Sequence, residues 1–159
     1  MSDPSSSSPF TKPAPWPKQA FGPPLIGALL RMPWDDVQRH MLERLHEEGF
    51  DDFDAAYLTV FQYPGPQGAR PSELAARLRM SKQALNHLLG ALGRLGYLER
   101  RPDPDDLRSK RVVLTPRGAA VIDVIREAVS EMESRWADQL GPDRFAELRK
   151  LLLALNRIE

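Results

Sequence analysis

The sequence contains no cysteine among its 159 residues. This absence excludes a disulfide framework, a thiolate zinc site and a cysteine-based redox switch, and it fits a protein of the reducing cytoplasm. No apolar run approaches the roughly 20 residues that a membrane-spanning helix needs. The opening residues MSDPSSSSPF also lack the basic-then-apolar order of a signal peptide. We therefore expect a soluble cytoplasmic protein with no membrane partner.

The sequence also lacks net charge, because 22 basic side chains balance 22 acidic ones. Their distribution is uneven. Between Arg70 and Arg111, ten basic and five acidic side chains give a net charge of +5, so the rest of the chain carries −5. A basic middle between acidic flanks is typical of a nucleic-acid-binding surface, although a solvated basic face has the same composition.

Proline and serine dominate residues 1–24, and this composition predicts a flexible tail. Residues 25–159 are long enough for one domain with a single core. Apolar positions at three- and four-residue spacing predict long helices over about residues 25–46 and 116–158. A GPDR turn divides the second segment, and Pro33 is expected to kink or split the first. These three helices offer more apolar surface than one small core covers, which predicts a homodimer.

Shorter helices are predicted between these segments. In DDFDAAYLTVFQY we expect Asp51 or Asp52 to cap the start of a helix. Ser72 is expected to cap a helix in PSELAARLRM, and Ser81 is expected to cap the next one, which ends at Gly96. Two short helices joined by a tight turn, over about residues 71–95, form a helix-turn-helix candidate.

The helix after Ser81 separates its residues into two faces at about 100° per residue. Leucines fill one face, and the other carries groups that can hydrogen-bond to base edges. This polar face consists of Gln83, Asn86, His87, Gly90 and Arg94. In an isolated helix such a face is more often simply solvated. The preceding short helix, Lys82 at the entry and the basic segment that follows favour DNA recognition.

A hairpin is predicted over about residues 97–115, with strands YLERR and KRVVLT joined by the loop PDPDDLRS. Arg108, Lys110 and Arg111 lie near its far side, where they can reach phosphates or a narrow minor groove. The same loop holds three acids: Asp103, Asp105 and Asp106. We expect Asp106 to hold the Arg108 guanidinium by a charge-assisted hydrogen bond, or the acids to serve only as turn formers.

This order of helix-turn-helix, strand, acidic and basic loop, strand and helix resembles the multiple-antibiotic-resistance regulator (MarR) family of winged-helix repressors. The segment DPDDLRSKRVVLTPRG fits the pattern D-x-x-D-x-R…V-x-L-T-x-x-G, and the resemblance covers residues 25–159. It implies a mainly α fold: a winged helix-turn-helix domain with a small β-hairpin wing, plus N- and C-terminal dimerisation helices. The absence of cysteine excludes the mechanism of the thiol-sensing members.

The resemblance further implies a homodimer that binds a palindromic operator in double-stranded DNA, with Ser81 to Leu95 as the recognition helix. Arg108 corresponds to the wing arginine and Asp106 to its partner. Together with the polar faces described above, this gives the expected DNA contacts: Ser72, Ser81, Lys82, Gln83, Asn86, His87, Arg94, Arg101, Asp106, Arg108 and Lys110.

Members of the family often respond to phenolic or amphipathic ligands bound between the dimer helices and the DNA-binding lobe. The expected function is therefore a repressor released by a small aromatic or amphipathic ligand. Trp34, Phe53 and Tyr57 lie where the family's pocket forms, which makes them candidate ligand contacts. The same three rings are equally well explained as core residues.

Other functions have less support in the sequence. The chain has three imidazoles, no glycine-rich phosphate loop and no evident nucleophile–base pair, so we expect neither an enzyme nor a bound cofactor. His40, Glu43 and Glu47 lie near one helical face as a partial metal site, but this spacing is far more often a solvated face. The alternative to DNA binding is a winged-helix module that binds only proteins, which would not need Arg108.

Overall fold

The computed structural model describes residues 24–61 and 68–156 of the chain, and these are mainly helical. In chain order the elements are α1 (Ile26–Glu47), α2 (Ala55–Phe61), α3 (Pro71–Leu78), α4 (Lys82–Arg94), β1 (Leu98–Asp103), β2 (Asp106–Leu114), α5 (Pro116–Leu140) and α6 (Pro142–Leu155). This order confirms the predicted winged helix-turn-helix fold with long flanking helices. The predicted flexible tail, apart from its last residue, lies outside the described residues.

Helix α1 continues through Pro33, so the expected split does not occur. Pro33 lies in the exposed first half of the helix, where water can bond to the carbonyl that a proline leaves without a donor. The second half of α1 packs against α5 and buries Val37, Met41 and Leu45. The helix therefore has a buried half and a half that projects from the core.

An aromatic cluster occupies the centre of the core below the helix-turn-helix. The ring of Phe53 makes edge-to-face contacts with Tyr57, Phe61 and Tyr97 at centroid distances of 5.6, 5.1 and 5.3 Å. This is the preferred geometry of aromatic pairs. Aliphatic side chains from α2, α3, α4, β2 and α5 surround the rings and are fully buried: Leu58, Leu74, Leu85, Leu92, Val112 and Val121.

Helix α4 begins and ends as predicted. The Ser81 hydroxyl accepts a hydrogen bond from the backbone N–H of Ala84 at 3.1 Å, which is the geometry of an N-cap. The helix ends at Arg94, and Gly96 follows with a φ of +76°, in the left-handed region that glycine enters at least cost.

The other two predicted caps are wrong. Helix α2 is preceded by Asp54, whose carboxylate accepts from the N–H of Ala56 at 2.8 Å, because the carboxylate of Asp52 is bound to Tyr97 and Arg117 instead. In α3 the N-cap is Arg70, and Ser72 lies within the first turn. Pro71 is favoured at the first helical position, so the helix starts earlier than a Ser72 cap would allow.

Strands β1 and β2 pair antiparallel, with Leu98 opposite Leu114 and Pro102 opposite Lys110. The predicted loop over residues 102–109 is mostly strand, and the turn between the strands is residues 104–105. The loop prediction counted aspartate as a turn former, whereas Asp103 is buried and ends β1. Ala69 extends the hairpin by bonding to both backbone groups of Val112, at 3.0 and 2.9 Å.

Large apolar side chains are exposed at two places: from Leu25 through the first half of α1, and from the last residue of α5 through α6. Among the described residues of α6 none is buried, although the helix packs against α5. The exposed set comprises Leu25, Ile26, Leu29, Leu30, Met32, Trp34, Leu140, Leu148, Leu151, Leu153 and Leu155. Within the described part of the chain, no helix combines the length and apolar character needed to cross a membrane.

Candidate nucleic-acid interface

Helix α4 has the two faces that its sequence predicts. Leu85, Leu89 and Leu92 are buried and attach the helix to the core. On the opposite side Gln83, Asn86, His87 and Arg94 are exposed, and Gly90 is half-buried among them. The predicted contacts Ser81 and Lys82 are also exposed, at the start of the same helix. Buried leucines thus fix the helix while its polar side chains face outward.

The wing formed by β1 and β2 brings its cations to the tip and to one edge. Arg108 and Lys110 are exposed on β2. Arg101 is exposed on β1, where its guanidinium donates to the Glu99 carboxylate at 2.8 Å, so this predicted DNA contact already has an acidic partner. The predicted contact Ser72 is exposed in the first turn of α3, outside the wing.

The expected pairing of Asp106 with the Arg108 guanidinium is wrong. The Asp106 carboxylate instead accepts a hydrogen bond from the backbone N–H of Arg108 at 3.0 Å. An aspartate bonding to the backbone two residues onward is a typical turn arrangement, and the short spacing favours it over a reach to the end of the arginine side chain. Asp106 therefore shapes the chain at the start of β2.

The acid that organises the wing is Asp103. Its side chain is fully buried, and its Oδ2 lies 2.5 Å from Nε of Arg70 and 3.1 Å from Nε of Arg111. Its Oδ1 accepts from the backbone N–H of Asp105 at 3.0 Å. The hydrogen bond from Arg70, together with the bond from the Asp105 N–H and the nearby charge of Arg111, holds the pKa of Asp103 well below its usual range. Asp103 remains ionised and ties the wing to the start of α3.

A second network joins the end of α4 to the start of α5. Arg117 lies over the Tyr97 ring, with its guanidinium carbon 4.4 Å from the ring centroid, and it donates to the Leu95 carbonyl at 2.8 Å. Its other nitrogen donates to Asp52 at 2.9 Å, and the Tyr97 hydroxyl donates to the same carboxylate. The hydrogen bond from Tyr97 and the charge of Arg117 lower the pKa of Asp52, and burial raises that of Tyr97.

Sequence reasoning missed several residues of these networks. Arg70 and Asp103 are 33 positions apart, and Asp52 and Arg117 are 65 apart, so no local spacing relates them. Arg100 was also missed. Its guanidinium donates to the side-chain oxygen of Asn86 at 3.1 Å, which connects β1 with the outer face of α4. The basic run ERR was the available signal, but it does not tell which arginine faces α4.

The three candidate ligand-binding rings differ in how deeply they are buried. Phe53 is 2% exposed in the core cluster, Tyr57 is half-buried against it, and Trp34 is 40% exposed on α1. A cleft of about 700 Å³ lies between α2 and the start of α4. Its lining consists of Ala56, Thr59, Met80, Ser81, Gln83, Ala84, His87 and Leu88.

His40 and Glu47, two of the residues considered as a partial metal site on the first helix, form ion pairs. His40 is buried, and its Nε2 lies 2.6 Å from a carboxylate oxygen of Glu131 on α5. Glu47 pairs with Arg44 at 2.8 Å. Within residues 24–61 and 68–156 no group of three or more acids or histidines is arranged to hold a metal ion. The expectation that this face is simply solvated is wrong for His40, because α5 covers it.

A helix-turn-helix with a polar outer face, followed by a two-stranded hairpin with cations at its tip, defines a winged-helix DNA-binding protein. The MarR family model matches residues 63–109 of the chain. The chain is also 29% identical over 116 residues to YkoM, an uncharacterised HTH-type transcriptional regulator of Bacillus subtilis (strain 168), covering 73% of this chain and 74% of YkoM.

Solved structures share the fold. Apo wild-type MarR from E. coli is similar with a TM-score of 0.65 and 28% identity, covering 85% of this chain and 98% of that one. The transcriptional repressor CouR, bound to a 23-mer DNA duplex, is similar in fold with a TM-score of 0.64 and 24% identity, covering 83% and 92%. With its helix-turn-helix and wing, the chain is therefore similar in sequence and fold to MarR-family DNA-binding transcription regulators.

Proposed function

We propose that the chain is a cytoplasmic, homodimeric repressor that recognises a palindromic operator through α4 and the wing. The observation that carries the proposal is the construction of α4, whose leucines are buried while Gln83, Asn86 and His87 are exposed. Such side chains match the donors and acceptors of base edges in the major groove. Arg108 and Lys110, exposed on the wing, supply contacts to phosphates or the minor groove beside it.

The exposed apolar side chains of α1 and α6 support a dimer. Ile26, in the first turn of α1, is 71% exposed, and Leu155, at the end of α6, is 69% exposed. Large exposed apolar side chains grouped in this way are typical of an interface, and a second copy would bury them with two-fold symmetry. Such a dimer presents two copies of α4 about one turn of DNA apart, as a palindrome requires.

The proposed effector is a small aromatic acid that weakens DNA binding. Because Phe53 is packed in the core, we assign the ligand to the cleft between α2 and α4 rather than to the three rings. Apolar groups such as Met80 and Leu88 suit an aromatic ring, and Gln83 and His87 supply polar contacts. A ligand in contact with Gln83 and His87 would compete with DNA for the outer face of α4.

Fluorescence anisotropy with a duplex from the gene's own promoter and a scrambled duplex tests DNA recognition. We expect Arg108→Ala to weaken binding to both and to make the salt dependence shallower by about one unit, because one phosphate contact is lost. Gln83→Ala should cost roughly 1–3 kcal/mol on the promoter duplex and little on the scrambled one. Equal affinity of the wild type for both duplexes would contradict sequence-specific recognition, and a lack of binding to either duplex would favour a protein-binding module.

Light scattering tests the proposed dimer, and a ligand screen tests the proposed effector. A monomer at micromolar concentration would contradict the dimer. Aromatic acids are expected to raise the melting temperature and weaken promoter binding, and Ala56→Phe, which narrows the cleft, should remove both effects. If no aromatic acid in the panel changes the melting temperature or the promoter affinity of the wild type, an aromatic-acid effector is excluded. A promoter reporter whose expression does not fall when the protein is present would exclude repression.

A further inference from the structure

One hydrogen bond links the wing to the outer face of α4. Arg100, on β1, donates from Nη2 to the side-chain oxygen of Asn86 at 3.1 Å, and both side chains are exposed. Arg100 also lines a groove of about 450 Å³ between α4 and the wing, together with Gly90 and Arg94 of α4. A DNA base that reaches Asn86 therefore also meets the positive charge of the Arg100 guanidinium.

The identity of the bonded atom follows from chemistry. A guanidinium has only donors, so the amide oxygen of Asn86 faces Arg100 and the amide NH₂ points elsewhere. An asparagine that reads adenine uses both atoms, the oxygen accepting from the N6 amino group and the NH₂ donating to N7. Here the oxygen is engaged, and the nearby positive charge repels an amino group while it attracts a keto oxygen.

We propose that Arg100 is a specificity-determining residue that makes Asn86 select guanine instead of adenine. This inference rests on the sequence-specific DNA binding proposed above. Guanine presents two acceptors, O6 and N7, in the major groove, and the pair of Asn86 and Arg100 presents donors. The hydrogen bond from Arg100 thus reverses the preference for adenine that Asn86 would have without it. Arg100 acts through Asn86, so its effect is on which base is chosen more than on how tightly DNA is held.

Arg101 provides a matched control. It is the next residue on β1, it carries the same charge, and it is exposed, but its guanidinium is bonded to Glu99 at 2.8 Å. Neighbouring residues of a strand point to opposite faces, so removing either guanidinium subtracts the same charge from the wing while only one removal frees Asn86. A change in base preference specific to Arg100 therefore reports the hydrogen bond rather than the charge.

The experiment is selection from a randomised duplex library, with sequencing of the bound fraction, for the full-length wild type and three variants. Asn86→Ala identifies the base pair that this residue reads, as the position where preference is lost. At that position the wild type should select guanine, and Arg100→Met should shift the ratio of adenine to guanine by roughly tenfold toward adenine. Arg101→Met should keep the wild-type base preference at that position, while loss of its charge lowers the overall affinity for DNA.

Selection of adenine by the wild type at the Asn86 position would overturn the inference. So would an unchanged preference in Arg100→Met, or the same shift in Arg101→Met. Melting temperatures show whether each variant is folded. If Arg100→Met is not folded, Arg100→Gln takes its place in the comparison with Arg101→Met. Absence of any enriched sequence with the wild type would instead reject the proposed sequence-specific binding, and this inference with it.

Discussion

Arg70, at the start of α3, and Asp103, at the end of β1, form an ion pair with Nε 2.5 Å from Oδ2. The carboxylate is fully buried, and Arg111 from β2 approaches the same oxygen at 3.1 Å. The backbone N–H of Arg70 also donates to Glu73 at 3.3 Å, in the first turn of α3. One buried anion therefore connects the wing to the start of α3, next to the backbone bonds between Ala69 and Val112.

We expect Asp103→Asn to lower the melting temperature at pH 7, because Arg70 and Arg111 lose their shared anion. The pKa of Asp103 in the folded protein lies below its usual value of about 3.9, so its stabilisation is complete above that pH and declines as the pH falls toward the folded-state pKa. The difference between wild type and variant should therefore shrink at pH 3. Asp105→Asn, at an exposed carboxylate, is the control with a smaller effect. An equal difference at both pH values would contradict the assignment.

Tyr97→Phe should destabilise the protein by about 1–2 kcal/mol in chemical denaturation, because the hydroxyl bonded to Asp52 is lost. The ring and its contacts with Phe53 and Arg117 are retained in this variant. Tyr57→Phe removes a hydroxyl from a half-buried ring of the same cluster and should cost less than about 0.5 kcal/mol. Equal losses for the two variants would show that the bond to Asp52 contributes nothing.

Gly90→Ala is expected to change stability and DNA affinity in opposite directions. Alanine in a helix interior is more favourable than glycine by about 1 kcal/mol, and a Cβ at this position would meet only the Arg94 guanidinium, at 3.6 Å. The added methyl group lies on the outer face of α4, where it should hinder close approach of DNA. Denaturation and anisotropy measure the two effects, and unchanged affinity in the stabilised variant would place Gly90 outside the interface.

Arg79→Gly should stabilise the protein by about 1 kcal/mol, because Arg79 has a φ of +51°, a left-handed conformation that favours glycine. The same substitution at Arg77, within α3, should destabilise by up to about 1 kcal/mol, since glycine is unfavourable in a helix. Opposite signs in thermal denaturation are the expected result. A loss of stability in both variants would mean that the Arg79 side chain contributes more than its backbone costs.

The local elements of this protein follow from its sequence. The leucine spacing of α4, the Ser81 cap and the left-handed Gly96 depend on residues within one or two turns of each other, so the pattern alone predicts them. The outer face of α4 is predictable for the same reason, because a helix with one apolar stripe has only one way to bury it. The wing strands were also predicted, although their ends were not.

The connections between elements were decided by the tertiary structure alone. Asp103 was read as a loop residue, yet it is a buried anion, because Arg70 is brought to it from 33 positions away. The helical pattern predicts that the Asn86 amide can bond to base edges, but it does not predict that the amide oxygen accepts a hydrogen bond from Arg100. A side chain's partner depends on which strands and helices pack together. Ion pairs and hydrogen bonds form only between atoms a few ångströms apart in space, and the separation of two residues along the chain does not determine that distance.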